Sequence, residues 1–150
     1  DININEWQNV INVNITGLFY CCKYIIPKMK EKNFGRIINM SSGGSVNCSP
    51  NYSLYSLTKA SVNAFTKSLG SELVDFNIKA NMMSPGPCKT EMFPDNPLKP
   101  DVSFPTAKYL ASLSSDGPSG RFFWMEKEVK IFPDLSGIDW SKADSYKFED

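Results

Sequence analysis

The sequence predicts an α/β fold, part of a doubly wound parallel sheet with helices on its faces. Segments with helical spacing of apolar residues alternate along the chain with short, continuous apolar runs. Such runs are typical of parallel strands buried on both faces, and the helices between them supply the right-handed crossovers that a parallel sheet requires. With 150 residues, the chain is expected to form one domain of this kind.

The first element is predicted to be a helix that either Asn3 or Asn5 caps. Apolar residues recur with near-helical spacing from Trp7 to Phe19, and the helix is expected to continue towards Lys30. Pro27 is expected to kink it, and the lysines near its end complement the negative helix C-terminus.

The middle of the chain predicts one strand followed by the longest helix. A turn at 34–36 precedes the apolar residues 37–40, which are expected to form a strand that ends in the serine- and glycine-rich loop 41–44. Residues 45–53 are rich in Ser, Asn and Pro and are expected to be irregular. Helical spacing returns over 55–76 and predicts a long helix.

A second strand and a long loop follow. Residues 78–83 predict a strand, which the Ser-Pro-Gly-Pro run at 84–87 stops. Residues 88–105 contain several prolines and little periodicity. An irregular loop of this length in a compact domain is usually functional or disordered, and we interpret this one as a lid.

The remaining elements are predicted to be short. A helix is expected at 108–113, and residues 121–125 predict a final strand, which we interpret as a buried edge strand. The domain is expected to span residues 1–133, and residues 134–150 read as a polar C-terminal tail.

The composition excludes several functional classes. Lys plus Arg and Asp plus Glu both number 16, so no long-range field attracts nucleic acid or an anionic membrane. No uninterrupted apolar run approaches the roughly 18 residues that cross a bilayer, and the N-terminus has no signal pattern. We therefore expect a cytoplasmic protein that acts on a small molecule and binds neither nucleic acid nor membrane.

The chain has no histidine and four cysteines. The missing histidine excludes Ser-His-Asp and Cys-His catalysis within this chain and removes the commonest metal ligand, so no metal site is expected. The cysteines lack the paired C-x-x-C spacing of a zinc site, and we interpret them as free thiols. They are Cys21, Cys22, Cys48 and Cys88.

A tyrosine and a lysine at the start of the long helix carry the main chemical signal. Tyr55 and Lys59 are one helical turn apart, so their phenol and ammonium groups share one face. The cation favours the phenolate form, which suits Tyr55 to general acid/base work. A solvated helix face produces the same spacing, and Tyr24 and Lys28 repeat it without a serine loop upstream.

Ser42 distinguishes the two pairs. It lies thirteen residues before Tyr55, directly after the predicted strand 37–40, where the carboxyl edge of a parallel sheet forms ligand sites. The segments 36–42 and 55–60 together resemble the short-chain dehydrogenase/reductase family, which joins a strand ending in Ser to a Tyr-x-x-x-Lys helix at this separation.

Two further segments resemble the same family. Residues 12–19 are similar to its active-site asparagine helix, with Asn14 at the functional position. Residues 81–90 are similar to its Pro-Gly-x-x-x-Thr element, which lies against the nicotinamide ring. The resemblance covers most of the chain, fades after about Phe132, and implies the later strands and helices of a partial Rossmann-type sheet.

The resemblance implies a role for each matching residue in NAD(P)-dependent interconversion of a carbonyl and an alcohol. Tyr55 would be the general acid/base and would also contact the cofactor, and Ser42 would hydrogen-bond the substrate oxygen. Lys59 would bind the nicotinamide ribose, and Asn14 would hold a water that relays protons to Lys59. For Asn14, a local helix bend from side-chain competition with the backbone is an equally open interpretation.

Three residues of the 81–90 segment have both a structural and a functional interpretation. Pro85 and Gly86 would end a strand in any fold, and Thr90 would cap a following helix. In the family context we expect all three to contact the cofactor. On the lid, Met92, Phe93 and Phe104 are candidates for the wall of a substrate pocket.

The family's first βαβ unit, with its Thr-Gly-x-x-x-Gly-x-Gly phosphate loop, has no match in this sequence. The chain is therefore expected to be the C-terminal catalytic part of a longer protein, with absent strands that paired beside strand 37–40. Alone it is expected to be poorly soluble or partly molten, because that strand edge would be exposed. The residue that distinguishes NAD from NADP lies in the absent part.

Three further expectations follow from the resemblance. The Ser-Gly-Arg-Phe-Phe-Trp segment at 119–124 is similar to that of carbonyl-reductase-like members, which slightly favours NADP over NAD. The two long helices resemble those that pair across the family's dimer interface, so the parent protein is expected to be a homo-oligomer. The alternative function is a non-catalytic interaction or assembly fragment, which the missing phosphate loop favours.

Overall fold

The computed structural model describes residues 2–135. Five α-helices and four strands lie in this part of the chain, together with one π-helical and one 3₁₀ segment. In chain order they are α1 (Ile4–Ile11), a π-helical segment (Asn12–Thr16), α2 (Gly17–Glu31), β1 (Gly35–Met40), α3 (Gly44–Asn47), α4 (Ser53–Glu72), β2 (Ile78–Ser84), a 3₁₀ segment (Pro100–Ser103), α5 (Phe104–Ala111), β3 (Phe122–Trp124) and β4 (Lys127–Val129).

The four strands form one sheet in the order β1-β2-β3-β4. β1 pairs with β2 and β2 with β3 in parallel, and Ile37 is in register with Ala80 and Met82 with Phe122. Helices connect the parallel strands, so the predicted α/β fold with a parallel sheet is confirmed. Within residues 2–135, β1 has no strand on its other side, and the predicted pairing of absent strands there stays a prediction.

The last strand was not predicted, and the interpretation of β3 as an edge strand is wrong. β4 pairs antiparallel with β3 and gives it a second neighbour. The connecting turn holds Met125 and Glu126 at φ of 49° and 65°, a conformation that turns usually assign to Gly, Asn or Asp. Because the sequence has none of these residues there, it carries no hairpin signal.

A core cluster joins α2, α4 and the sheet. Cys22 and Leu69 pack against Ile37 and Ile78, all buried, and partly buried residues of both helices surround them. α4 also lies close to the turn before β3, where Gly70 is the contact. A β-carbon added there would lie 2.5 Å from the backbone nitrogen of Gly120, so only glycine permits this approach.

The first 28 helical residues differ from the predicted single α-helix. Asn3 caps α1 by accepting the backbone N–H of Glu6 at 2.9 Å. Pro27 lies inside α2 without ending it, and the departure from α-geometry falls at Asn12–Thr16 instead. By length and composition this stretch, Ile4–Glu31, is apolar enough to cross a membrane, although no unbroken apolar run suggested it.

The other differences concern the ends of helices. The segment expected to be irregular after residue 44 contains the short helix α3, and α4 begins at Ser53 and ends at Glu72. α5 begins at Phe104 rather than Lys108, because Pro105 occupies its first turn, where a proline is favourable. Of the predicted tail 134–150, only Asp134 and Leu135 are among the described residues.

Candidate active site

The residues predicted to act on a substrate lie around one cleft at the carboxyl ends of β1, β2 and β3. Its volume is about 890 Å³. Ligand sites of parallel α/β sheets form at this edge. The lining consists of Ser42, Gly43, Gly44, Asn47, Tyr55, Ser84, Pro85, Gly86, Pro87, Cys88, Thr90, Glu91, Met92, Phe93 and Trp124. A separate cavity of about 660 Å³ at the β3-β4 hairpin contains none of the predicted site residues.

The two consecutive serines after β1 lie in different environments, one buried against α4 and the other facing the cleft. Ser41 is buried, and its Oγ is 2.6 Å from Oδ1 of Asn63 in α4. Asn63 also donates to the Oγ of Ser45 at 2.8 Å, so three buried polar groups hold the loop against the helix. Ser42 faces the cleft, and its Oγ accepts the backbone N–H of Gly44 at 3.1 Å.

Tyr55 lies in the first turn of α4 and is half-buried in the cleft wall. Its ring packs directly against the backbone of Gly44. A β-carbon on Gly44 would lie 2.9 Å from Cε1 of Tyr55 and 3.5 Å from the Ser42 Oγ. The missing side chain at Gly44 therefore permits the position of the ring beside Ser42.

Lys59 follows one helical turn later, behind the tyrosine. Its Nζ lies 5.9 Å from the centre of the Tyr55 ring and donates to the carbonyl oxygen of Met40 at 3.1 Å. Partial burial lowers the pKa of the Lys59 ammonium from its ordinary value of 10.5, because desolvation penalises the charged form. The decoy pair is different: Tyr24 is 72% exposed, and Lys28 pairs with Glu31 at 3.2 Å on the surface.

Asn14 lies in the π-helical segment and outside the cleft lining. Its side-chain Nδ2 donates to the carbonyl oxygen of Val10 at 3.1 Å, which is the predicted competition between side chain and backbone. The segment packs against α4, the helix that carries Tyr55 and Lys59. Single π-turns of this kind occur frequently at functional sites.

The turn after β2 lines the same cleft as the serine loop and Tyr55. Gly86 has a φ of 76°, a conformation that glycine adopts without strain, and Pro85 precedes it. A β-carbon on Gly86 would lie 3.2 Å from the indole nitrogen of Trp124, and one on Gly43 would lie 3.6 Å from the other end of that ring. The indole of Trp124 therefore lies between two glycine backbones.

The indole N–H of Trp124 is buried and has no hydrogen-bond partner among the described residues. An unsatisfied buried donor costs about 1–3 kcal/mol. Packing between the two glycines, rather than a hydrogen bond, therefore fixes the ring in the cleft.

Thr90 belongs to a tight turn rather than to a helix cap. Its Oγ1 accepts the backbone N–H of Phe93 at 3.2 Å, and the two residues form an isolated β-bridge. The turn presents Glu91 and Met92 to the cleft, and Phe93 lines it too. Phe104 lies outside the cleft lining, so the prediction that it forms part of the substrate-pocket wall is wrong.

The structure thus brings five of the seven predicted site residues to one cleft and places Lys59 directly behind its tyrosine. The five are Ser42, Tyr55, Pro85, Gly86 and Thr90. Sequence reasoning missed Gly44, Asn63 and Trp124. For Gly44 the Gly-Gly pair was a signal, whereas nothing in the sequence indicated that the side chains of Asn63 and Trp124 meet this loop and this cleft.

Fold and cleft together define an α/β protein with a ligand site at the carboxyl ends of parallel strands. Residues 1–100 match the family model described as short chain dehydrogenase. The chain belongs to the short-chain dehydrogenase/reductase family.

Curated relatives carry names of oxidoreductases. The chain is 44% identical over 82 residues to a 2-dehydro-3-deoxy-L-rhamnonate dehydrogenase (NAD(+)) of a Sphingomonas species, which covers 55% of this chain and 33% of that protein. It is 31% identical over 137 residues to an NADPH-dependent aldehyde reductase-like chloroplastic protein of Arabidopsis thaliana, covering 91% of this chain and 48% of that protein.

Solved structures agree in fold. An acetoin dehydrogenase from Enterobacter cloacae superposes with a TM-score of 0.74 at 27% identity, over 83% of this chain and 55% of that one. A gluconate 5-dehydrogenase from Burkholderia cenocepacia, in complex with NADP and tartrate, superposes with a TM-score of 0.76 at 25% identity, over 81% and 55%. The chain thus spans about half the length of these relatives or less.

Proposed function

We propose that this chain carries the catalytic half of an NAD(P)-dependent oxidoreductase that interconverts a carbonyl and an alcohol by hydride transfer. The meeting of Ser42 and Tyr55 in one cleft, with Lys59 behind the tyrosine, is the observation that carries the proposal. Membership of a family of dehydrogenases and reductases supports the same reaction class.

Ser42 and Tyr55 would act on the substrate oxygen. Because the Ser42 Oγ accepts the N–H of Gly44, its hydroxyl proton is available to a carbonyl oxygen in the cleft. Tyr55 would donate its phenolic proton to the same oxygen while the carbonyl carbon receives hydride, and it would take the alcohol proton in reverse. Ser42 would thereby orient the oxygen and stabilise its developing charge.

The residues present fit the nicotinamide end of a dinucleotide. The Lys59 ammonium has three N–H donors, of which one reaches Met40, so donors remain for ribose hydroxyls. Pro85 and Gly86 form one part of the cleft wall, where the missing side chain of Gly86 leaves room for the nicotinamide ring. Thr90 lines the same cleft. When bound, the cofactor would supply the hydride.

The pyrophosphate end has no matching glycine loop in the 150 residues. We propose NADP as the first cofactor to test, on the resemblance of β3 to carbonyl-reductase-like members, while the names of relatives include both NAD(+) and NADPH.

Asn14 would support proton exchange rather than contact the substrate. Its Nδ2 is engaged by Val10, which leaves its amide oxygen as an acceptor for a water beside α4. Such a water would connect Lys59 with solvent. This role and the hydrogen bond to Val10 are compatible, because the bond uses the amide nitrogen and the water would use the amide oxygen.

We also propose a homo-oligomer, a cytoplasmic location and a cofactor-binding unit at 1–133 with 134–150 as a tail. An apolar groove of about 320 Å³ between the N-terminal helical stretch and α4 supports association of helices. Its wall includes Phe19 and Phe65. The even charge balance supports a protein that neither nucleic acid nor an anionic membrane surface attracts electrostatically.

Titration of the purified chain with NADH and NADPH, followed by nicotinamide fluorescence, tests the proposal. Saturable binding that Lys59→Ala weakens supports a nicotinamide site within these residues. Tyr55→Phe is expected to retain binding, because its ring stays in place. Absence of binding to this chain and to the longest natural polypeptide that carries it would refute the proposal.

The second candidate function is a non-catalytic assembly fragment. Exposed apolar side chains on the N-terminal helical stretch favour it, among them Val13 and Tyr24 at 74% and 72% exposure. A chain that forms a defined complex but binds neither nucleotide would support this function instead.

A further inference from the structure

The chemistry of the cleft wall points to one class of substrate. Among the described residues that line it, none is Lys or Arg, and the single charged side chain is Glu91. A substrate carboxylate would meet no cation there and would face a like charge. The wall thus selects against acidic substrates.

The apolar part of the wall includes aromatic side chains and is incompletely covered. Met92 and Phe93 are 67% and 53% exposed, and both lie on the tight turn opposite Trp124. Their exposed surface together with the indole face offers an apolar slot beside Tyr55 and Ser42. Ligand sites commonly combine such walls with a few polar groups, and here the hydroxyls of Ser42 and Tyr55 would face the reacting oxygen.

Trp124 is the rigid member of this slot. Glycines at 43 and 86 flank the two ends of its ring, and no hydrogen bond restrains its N–H within residues 2–135. The ring is therefore held by shape, and Trp124 is the last residue of β3, an interior strand of the sheet. Aromatic side chains held in this way orient a ligand ring by stacking or edge contact.

We propose, on the basis of the proposed function, that the substrate is an uncharged carbonyl compound with an apolar or aromatic body, and that Trp124 positions it. The reaction balances within that function: the carbonyl carbon gains hydride from reduced nicotinamide, the oxygen gains the Tyr55 proton, and the nicotinamide is oxidised. The side chain of Glu91 disfavours analogues that bear a carboxylate, because two like charges would then share the cleft.

The test uses the longest natural polypeptide that carries this sequence, reduced NADP, and pairs of aromatic aldehydes and ketones. The members of each pair have nearly the same shape and differ in charge, for example 4-formylbenzamide and 4-formylbenzoate. The neutral member is expected to have a kcat/KM about tenfold higher or more, because the carboxylate is desolvated without a partner. Glu91→Gln is expected to lower the ratio of the two kcat/KM values, because the variant no longer repels the carboxylate of the charged member.

Trp124→Ala tests the positioning role. We expect it to raise KM for the neutral members about tenfold and to lower kcat further, because the reacting oxygen is less well oriented. Phe104→Ala is the matched control, since Phe104 is an exposed aromatic outside the cleft, and it should leave both constants unchanged.

The outcomes distinguish failure of the proposed substrate class from failure of the oxidoreductase proposal. Turnover of neutral and charged members at equal kcat/KM, or a Trp124→Ala variant that behaves like Phe104→Ala, overturns this inference and leaves the oxidoreductase proposal standing. Hydride transfer to polar aliphatic aldehydes or keto acids, but to no member of the aromatic panel, overturns this inference alone. Absence of hydride transfer to both sets, with reduced NADP bound, overturns the oxidoreductase proposal and this inference with it.

Discussion

Substitution of Gly44 by alanine should damage the site while leaving the fold largely intact. The new β-carbon would lie 2.9 Å from Cε1 and 3.2 Å from Cδ1 of Tyr55. Since carbon atoms pack at about 3.5–4.0 Å, the ring has to retreat by roughly 0.6 Å or more. Gly44 itself is the first residue of the helix α3, where alanine is favourable, so the conflict is with the ring alone.

The expected size of the effect follows from this displacement. Catalytic groups have to be held within about 0.5 Å of their productive geometry, and a shift of about 1 Å costs on the order of 10²-fold in rate. We expect kcat/KM to fall by roughly 10- to 100-fold in Gly44→Ala. The free energy of unfolding should fall by no more than about 1–3 kcal/mol, the usual cost of overpacking.

Gly43→Ala is the matched control, because its β-carbon would lie 3.6 Å from the nearest atom of Trp124, an ordinary contact. The assay follows oxidation of reduced NADP with a neutral aldehyde, and urea denaturation measures stability in parallel. A Gly44→Ala variant with the activity of Gly43→Ala would refute the argument that this glycine sets the position of Tyr55.

Three further predictions concern stability. Asn63→Ala should lower the free energy of unfolding by about 1–3 kcal/mol in urea denaturation, because the buried hydroxyl of Ser41 loses its partner at 2.6 Å; an unchanged value would contradict this role. Gly70→Ala should lower the free energy of unfolding by about 2 kcal/mol, because the new β-carbon would overlap the backbone of Gly120. Gly17→Ala is the control: its β-carbon would lie 3.5 Å from the nearest atom, so the free energy of unfolding should stay the same or rise by up to about 1 kcal/mol. Equal effects of the two substitutions would contradict the packing argument. Burial lowers the pKa of Lys59 below 10.5, so the cost of desolvating its ammonium group is present at neutral pH and disappears as the pH rises through the folded-state pKa towards 10.5. The wild type should therefore gain stability over this pH range, and the unfolding free energy of Lys59→Met minus that of the wild type should decrease. A difference that stays constant with pH would exclude this desolvation effect.

Much of the fold could be predicted because its signals are local. The strands β1 and β2 are apolar runs bounded by turn residues, and α4 has both length and periodicity. Because the serine loop follows β1 and the Tyr-Lys helix comes next, the sequence also predicted that Ser42 and Tyr55 lie close together at the carboxyl edge of the sheet. Tyr24 and Lys28 have the same spacing, and only this context excluded them.

The features that could not be predicted depend on tertiary contacts. β4 follows a turn made by Met125 and Glu126 at positive φ, which pairing with β3 stabilises in place of turn residues. The indole of Trp124 lies between glycines that are far apart in sequence. Such contacts leave no periodic or spacing signal, so the sequence indicated the candidate site residues but not the rest of the cleft wall.

The most direct test of the account compares Tyr55→Phe with Tyr24→Phe in the longest natural polypeptide that carries this sequence. The assay measures reduced-NADP oxidation with a neutral aromatic aldehyde, together with the Kd of the cofactor from its fluorescence. If Tyr55 is the general acid, Tyr55→Phe should lower kcat by about 10²-fold or more with little change in Kd, whereas Tyr24→Phe should match the wild type. A Tyr55→Phe variant that reduces the aldehyde at the wild-type rate would contradict the account.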